Sequence, residues 1–302
     1  MIECSEATRN HNATPDEEYP IPKRVVITAD STCDLSPELW EQYDIHAIPL
    51  TITLGDKSFA DSADFTTDEL YRRYDEDGLL PQTSAPSLQQ YTDFFAAFLA
   101  SGCEIVHLTI SAELSSSYAN ACIVAKAVGG IHVVDSRMLS CGVGLLALKG
   151  AELCGAGVSA PEIAERLRSL TSSVRTSFVL DTLEYMRKGG RCSAVAAIGS
   201  NLLHIKPALS MKEGRLQVYK KYRGGMERVY RQYIEDCLAG RSIDHSRVFL
   251  AESGNIDEGT LAELEMLIRE TAGAKELHRV RAGCTISSHC GPRTIGLFFL
   301  EA

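Results

Sequence analysis

The chain has 302 residues, 45% of them hydrophobic and 23% charged, with a formal net charge of −10 and a pI near 5.3, a length and balance that suit two globular cores. The acidic excess excludes a general affinity for nucleic acid, which needs a basic face to displace phosphate counterions. No apolar run approaches the roughly 18 residues of a membrane span and the first residues lack the basic and apolar regions of a secretory leader, so a cytoplasmic protein without stable membrane insertion is expected.

Residues 1–22 are polar, acidic and without periodicity, the composition of a disordered extension. Residues 24–29 (RVVITA) read as a buried strand running directly into Asp30-Ser31-Thr32, and Ser36-Pro37 open a helix as cap and first helical residue. Residues 45–54 alternate as a second strand, Gly55-Asp56 turns, and Asp61 lies in the loop beyond. Thr66 with Glu69 is a capping-box pair that starts a helix to about Tyr74. After the polar turn Thr83-Ser84-Ala85-Pro86-Ser87, Ser87 with Gln90 starts another, whose Tyr91, Phe94, Phe95, Phe98 and Leu99 form one apolar stripe, the mark of a core face. Residues 104–109 are a third strand, followed by a serine-rich loop from Ser111 to Ser117 and a helix to about Ala127; residues 131–134 are a fourth, ending in Asp135-Ser136. This alternation predicts a largely parallel sheet covered on both faces, a three-layer α/β domain over 23–158. Ligands of open sheets bind beyond the carboxyl ends of the strands, and that rim carries Asp30, Ser31, Ser111, Ser115, Asp135 and Ser136, hydroxyls more than metal ligands or bases. Gly142-x-Gly144-x-x-Ala147 matches the loose dinucleotide fingerprint, but residues 135–141 separate it from the strand, so the glycines are expected to serve helix packing.

Ser159-Ala160-Pro161 open a helix to about Leu170 and, with it, a second α/β domain over 159–302 with a mixed or antiparallel sheet. A strand at 174–180 leads to Asp181 and Glu184, a capping pair for a short helix from Thr182 that stops at Gly189-Gly190. Ser193 caps the next helix, with Val195, Ile198 and Leu202 on one face, and Lys206-Pro207 begins an extended run that Lys212-Glu213-Gly214 turns into a hairpin. Arg187, Lys188 and Arg191 cluster at the glycine corner; beside a flexible backbone in an acidic protein they suit a phosphate or an acidic partner, or else a solvated loop. An amphipathic helix over 226–238, a strand at 248–252, a helix over 257–271 and strands at 276–280 and 294–300 complete the chain. Before the last strand stands Ser287-Ser288-His289-Cys290-Gly291-Pro292, and a histidine in such a loop is a functional candidate rather than helix-face filler. Cys284, His289 and Cys290 lack a fourth metal ligand at regular spacing, and without a CxxC pair the cysteines read as free thiols. No metal or cofactor is expected.

Together, Thr28-Ala29-Asp30-Ser31-Thr32, Thr83-Ser84-Ala85-Pro86-Ser87, Ile110-Ser111 with Leu114-Ser115 and Tyr118, Val134-Asp135-Ser136, Asp181 to Tyr185 through Gly189-Gly190-Arg191, Ile205-Lys206-Pro207 and His289-Cys290-Gly291-Pro292 resemble the DegV family of bacterial fatty-acid-binding proteins over about residues 24–300. The resemblance implies two α/β domains with a long-chain fatty acid buried between them as the ligand. It also implies a partner, a fatty acid kinase of the dihydroxyacetone-kinase type that phosphorylates the carried carboxylate. Carried over residue by residue, Thr83 and Ser115 hold the carboxylate, His289 and Asp61 join its hydrogen-bond network, and Arg191 with Arg187 and Lys188 serves the kinase contact. Ser31 on the strand rim and Ser116 beside Ser115 belong to the same candidate set. Ser116 and Arg293 depart from the family pattern, which generally has glycine at both places, and Arg293 offers a direct countercharge to the carboxylate.

The residues alone agree on an anion, because hydroxyls at strand ends and a helix N-terminus near Ser115 favour one. Burying about 14 methylenes at about 0.8 kcal/mol each offers about 11 kcal/mol before ordering costs, so a few polar contacts suffice to orient the head. The alternative is a serine-dependent lipid hydrolase with Ser115 as nucleophile, His289 as base and Asp61 as orienting acid, although no nucleophile-elbow sequence supports it.

Overall fold

The computed structural model describes residues 23–61, 64–190 and 205–302; the expectations for residues 1–22, for Arg191 and for the helix capped by Ser193 lie outside the described residues. β1 (Val25–Asp30), β2 (Ile45–Ile48), β6 (Glu104–Thr109) and β7 (Ile131–Asp135) form a four-stranded sheet in the order β2-β1-β6-β7, parallel throughout. Chain order runs outward in opposite directions from β1, so the carboxyl ends of β1 and β6 define the switch point of the sheet. Asp30 at that point is structural: its Oδ2 accepts from Ile110 N at 3.0 Å and its Oδ1 from the Tyr91 hydroxyl at 2.9 Å. Helices α1 (Pro37–Gln42) and α3 (Leu88–Leu99) start where their caps predict, Ser36 accepting from Leu39 N and Ser87 forming a full capping box with Gln90. Tyr91 and Phe95 are fully buried with Ile105 and Val133, and Phe94, Phe98 and Leu99 pack beside them, so the aromatic stripe is core.

The single strand expected over 45–54 is two strands in two sheets. Pro49 has no N–H to give a ladder, and Leu50 N turns aside to Ser31 Oγ at 3.1 Å. β3 (Thr51–Leu54) then pairs antiparallel with β4 (Lys57–Ala60) and β5 (Gln82–Ser84) in a small sheet. Between these last two runs α2 (Thr67–Asp77), capped by Thr66. α4 (Ser117–Val128) and α6 (Ala160–Leu170) cover the four-stranded sheet, and the chain enters its largest sheet only after α6.

That sheet is mixed. β8 (Val174–Val179), β9 (Ile205–Lys212), β10 (Arg215–Arg223), β11 (Ile243–Glu252), β12 (Glu276–Arg281) and β13 (Ile295–Glu301) lie in the order β10-β9-β8-β13-β11-β12, antiparallel except for the β11–β12 pair. Its outer face is covered by α8 (Met226–Leu238) and α9 (Glu258–Ala272), the former burying Val229, Tyr230, Tyr233 and Ile234. α5 (Cys141–Gly155) packs between the two large sheets, against β1 and β6 on one side and β8 and β13 on the other. This double contact explains a run from Cys141 to Leu148 that is buried all round rather than on one stripe. Its glycines serve packing: a Cβ at Gly142 would lie 2.2 Å from Thr176 Oγ1, and one at Gly144 would lie 2.7 Å from Leu35 and 2.9 Å from Cys33 O.

Two local expectations are corrected. α7 (Glu184–Lys188) starts at Glu184, and Glu184 N is met by Thr182 Oγ1 at 3.1 Å, because the Asp181 carboxylate is taken by an ion pair with Lys206. His289 lies not in a loop but in the last turn of α10 (Cys284–Cys290), a helix whose short, polar sequence hides its apolar period.

Candidate functional site

A narrow cavity lies between the switch-point end of the parallel sheet and the inner face of the mixed sheet. Its volume is about 90 Å³, so it is a slot and not a chamber. Leu50, Ile110, Leu114 and Leu139 wall it from the first half of the chain, and Phe178, Met186, Leu216 and Phe298 from the second. Its floor is a row across three strands, Phe178 beside Gly296 beside Ala251. The two small residues keep the floor open; a Cβ at Gly296 would meet the Phe298 ring at 2.7 Å.

At one end the wall turns polar. Thr83 on β5 and His289 on α10 meet with Oγ1 and Nε2 2.9 Å apart, and Ser115, ahead of α4, lines the same cavity. Ser115 Oγ accepts from Ser117 N at 3.2 Å and lies 3.0 Å from Ser117 Oγ, which fixes the hydroxyl at the start of α4. The imidazole is seated because Gly189 has no side chain: a Cβ there would lie 2.3 Å from His289 Nδ1. α10 itself is gripped at its other end by two buried carboxylates, Asp34 Oδ1 accepting from Gly283 N at 2.9 Å and Asp61 Oδ1 from Thr285 N at 3.1 Å. Both answer backbone donors that the first helical turn leaves open.

The structure therefore brings Thr83, Ser115 and His289 together and places the other candidates elsewhere. Ser31 donates to Asp61 Oδ2 at 2.8 Å, so this pair supports the start of α10 from outside the cavity lining. Ser116 is exposed, and its φ of −78° and ψ of 1° call for no glycine. Arg293 does hold a left-handed φ of 60°, the conformation that suits glycine, but its guanidinium faces Glu227 at 3.3 Å and Asp181 at 3.7 Å rather than the slot. Lys188 is held by Glu184 at 3.1 Å and lies over the Tyr74 ring at 4.6 Å, while Arg187 is exposed beside it. Both belong to α7, which packs on α10, so this basic corner adjoins the His289 end of the slot.

A hydrolytic relay is not assembled, since His289 Nε2 faces Thr83, Ser115 Oγ faces Ser117, and Asp61 serves Ser31 and Thr285. Burial pushes the cavity thiol of Cys290 up to about 12, which keeps it protonated. Sequence reasoning missed Ser140, Glu252, Ser253, Thr285 and Thr294 on the cavity wall. Ser140, with a left-handed φ of 51°, and Thr285 are placed by tertiary packing, of α5 against the mixed sheet and of α10 against α7, α2 and the small sheet.

Fold and cavity define an α/β protein with a mainly apolar slot whose wall carries Thr83, Ser115 and His289. Residues 24–302 match the family described as "Uncharacterised protein, DegV family", and the chain belongs to that family. A DegV domain-containing protein of Caldanaerobacter subterraneus subsp. tengcongensis is 31% identical over 281 residues, covering 92% of this chain and 99% of the relative. Among solved structures, the fatty-acid-binding DegV family protein of Thermus thermophilus aligns with a TM-score of 0.82 at 29% identity, over 92% of this chain and 100% of that one. A stearic-acid-binding protein of Eubacterium ventriosum aligns at 0.77 and 29% identity, over 91% of this chain and 97% of that one. Among the described residues no helix is long and apolar enough to cross a membrane.

Proposed function

We propose that this protein is a non-catalytic carrier that holds one long-chain fatty acid in the slot, its carboxylate at Thr83, Ser115 and His289, and presents that carboxylate to a fatty acid kinase of the dihydroxyacetone-kinase type. The observation that carries the reading is the Thr83–His289 pair, 2.9 Å apart on the wall of a mainly apolar slot. Hydroxyls and an imidazole orient a carboxylate, while the buried methylenes supply most of the affinity. The structural relatives support the acyl ligand, being themselves fatty-acid-binding and stearic-acid-binding proteins.

The kinase contact is assigned to Arg187 and to Arg191, which follows the glycine pair in the sequence, with Lys188 already engaged by Glu184 and Tyr74. A guanidinium there suits an acidic surface or nucleotide phosphates beside the carboxylate end. Organic extraction of the purified protein followed by mass spectrometry tests the carrier reading, with about one acyl chain per protein expected. Absence of acyl chain together with no uptake of added fatty acid overturns it. The kinase assignment is tested separately: Arg191→Ala is expected to retain fatty acid and lose acyl-phosphate formation with a cognate kinase, and unchanged phosphorylation refutes that contact.

A further inference from the structure

We propose that the slot contains a second polar subsite, Thr285, which receives a hydroxyl or oxo oxygen carried by the acyl chain near its carboxyl end. The inference rests on the fatty-acid reading above and names the ligand class within it. Thr285 is 4% exposed and lines the slot, yet its Oγ1 has no hydrogen-bond partner among the described residues. A buried hydroxyl in that state is costly unless something in the cavity completes it.

The other buried polar side chains of the wall are already bonded. Ser140 Oγ donates to Asp34 Oδ2 at 2.5 Å, Ser253 Oγ to Gly291 O at 2.7 Å and Thr294 Oγ1 to Cys290 O at 3.1 Å. Glu252 accepts from Gly254 N at 2.6 Å and from Arg281 Nε at 2.5 Å. Thr285 is thus the exception. Its backbone N–H is separately satisfied by Asp61, so the side chain has no capping task. Packing does not require the hydroxyl either, because valine has the same branched shape.

Position fixes where along the ligand the oxygen falls. Thr285 and His289 are four residues apart in α10, hence on one face and one turn apart, about 6 Å along the axis. With the carboxylate at His289, the Thr285 hydroxyl meets the first several carbons of the chain and not its distal half. A threonine hydroxyl both donates and accepts, so it can serve a chain hydroxyl or an oxo group. A saturated chain offers it nothing, and a trapped water is the competing occupant.

The test is competitive binding to the delipidated full-length protein with stearate, 3-hydroxystearate, 5-hydroxystearate and 12-hydroxystearate. At least one of the two proximal hydroxy acids is expected to bind about threefold to tenfold more tightly than stearate, with no gain for the distal isomer. In Thr285→Val the ratio of hydroxy-acid to stearate affinity collapses to unity, and in Thr285→Ser it persists. The subsite is overturned if stearate binds and no proximal hydroxy acid surpasses it, or if the gain survives in Thr285→Val. Failure of stearate and of every hydroxy acid to bind overturns the carrier reading itself, and the subsite with it.

Discussion

Gly283 donates its backbone N–H to Asp34 Oδ1 at 2.9 Å, a bond between residues 249 apart in the chain. Ser140 donates to the other carboxylate oxygen at 2.5 Å, so one buried side chain ties the loop after β1, the start of α5 and the start of α10. Burial pushes this carboxyl from the ordinary range up to about 7, opposed by its bonds from Ser140 and Gly283 and assisted by the charge of Asp61. The thiols of Cys33, Cys141 and Cys290 also feel its charge, all three held protonated by burial.

A folded-state value above the unfolded one means that the native protein binds the proton more tightly. The resulting stability is complete below about pH 4 and is lost as pH rises to about 7, by about 1.4 kcal/mol per pH step at most. Asp34→Asn is expected to remove this slope. Denaturant unfolding of both proteins between pH 4 and 7 measures it as the difference between the two curves, and parallel curves would show that another group titrates.

Thr83→Val and Ser115→Ala are each expected to weaken fatty-acid binding by about 1–3 kcal/mol, the loss of one hydrogen bond to a buried charged group. Ser115 also accepts from Ser117 N, so its replacement carries an added stability loss of about 1 kcal/mol that Thr83→Val lacks. Titration calorimetry beside thermal unfolding separates the two effects. Wild-type affinity in both variants would move the carboxylate away from this end of the slot.

Gly189→Ala tests the seat of the imidazole. The glycine has an ordinary φ of −75°, so alanine brings no backbone strain, but its methyl would lie 2.3 Å from His289 Nδ1. The ring is the part that can yield, and in moving it leaves Thr83. Binding is expected to fall about tenfold with a smaller change in melting temperature than core truncations produce. Retained affinity would show that His289 does not contribute from this position.

The β9–β10 hairpin tip crosses to the first half of the chain, where Ser111 Oγ donates to Gly214 O at 2.7 Å and Arg215 pairs with Glu113 at 2.9 Å. Leu216, next along the strand, lines the slot. Gly214 has φ of 81°, and a Cβ on it would lie 2.9 Å from Ser111 Oγ. Gly214→Ala therefore loosens the tip at a cost of about 1–2 kcal/mol, and release of bound acyl chain is expected to be up to about tenfold faster in a stopped-flow displacement assay. An unchanged release rate would place the exit elsewhere.

Local signals were legible. Ser36, Thr66 and Ser87 each accept a backbone N–H at the helix start that their spacing predicts, because a cap needs only residues within one turn. The Lys212-Glu213-Gly214 turn was legible for the same reason. What was not legible depended on distant partners. Asp181 left its helix for Lys206, Ser31 and Asp61 found each other behind α10, and Arg293 was drawn to Glu227 and Asp181. Thr285 could not be singled out, since its inward direction depends on a helix concealed in a serine and cysteine run.

α5 has a further consequence for how cargo is handled. Thr176 of one large sheet and Leu35, beside the other, occupy the space that side chains at Gly142 and Gly144 would need, so the helix is riveted into both halves of the molecule. A clamshell that gaped to admit its ligand would have to tear this rivet out of the largest apolar cluster, which draws residues from both sheets. On the carrier reading proposed above, the protein is a scabbard and not a clamshell, taking an acyl chain lengthwise while α5 keeps both sheets joined.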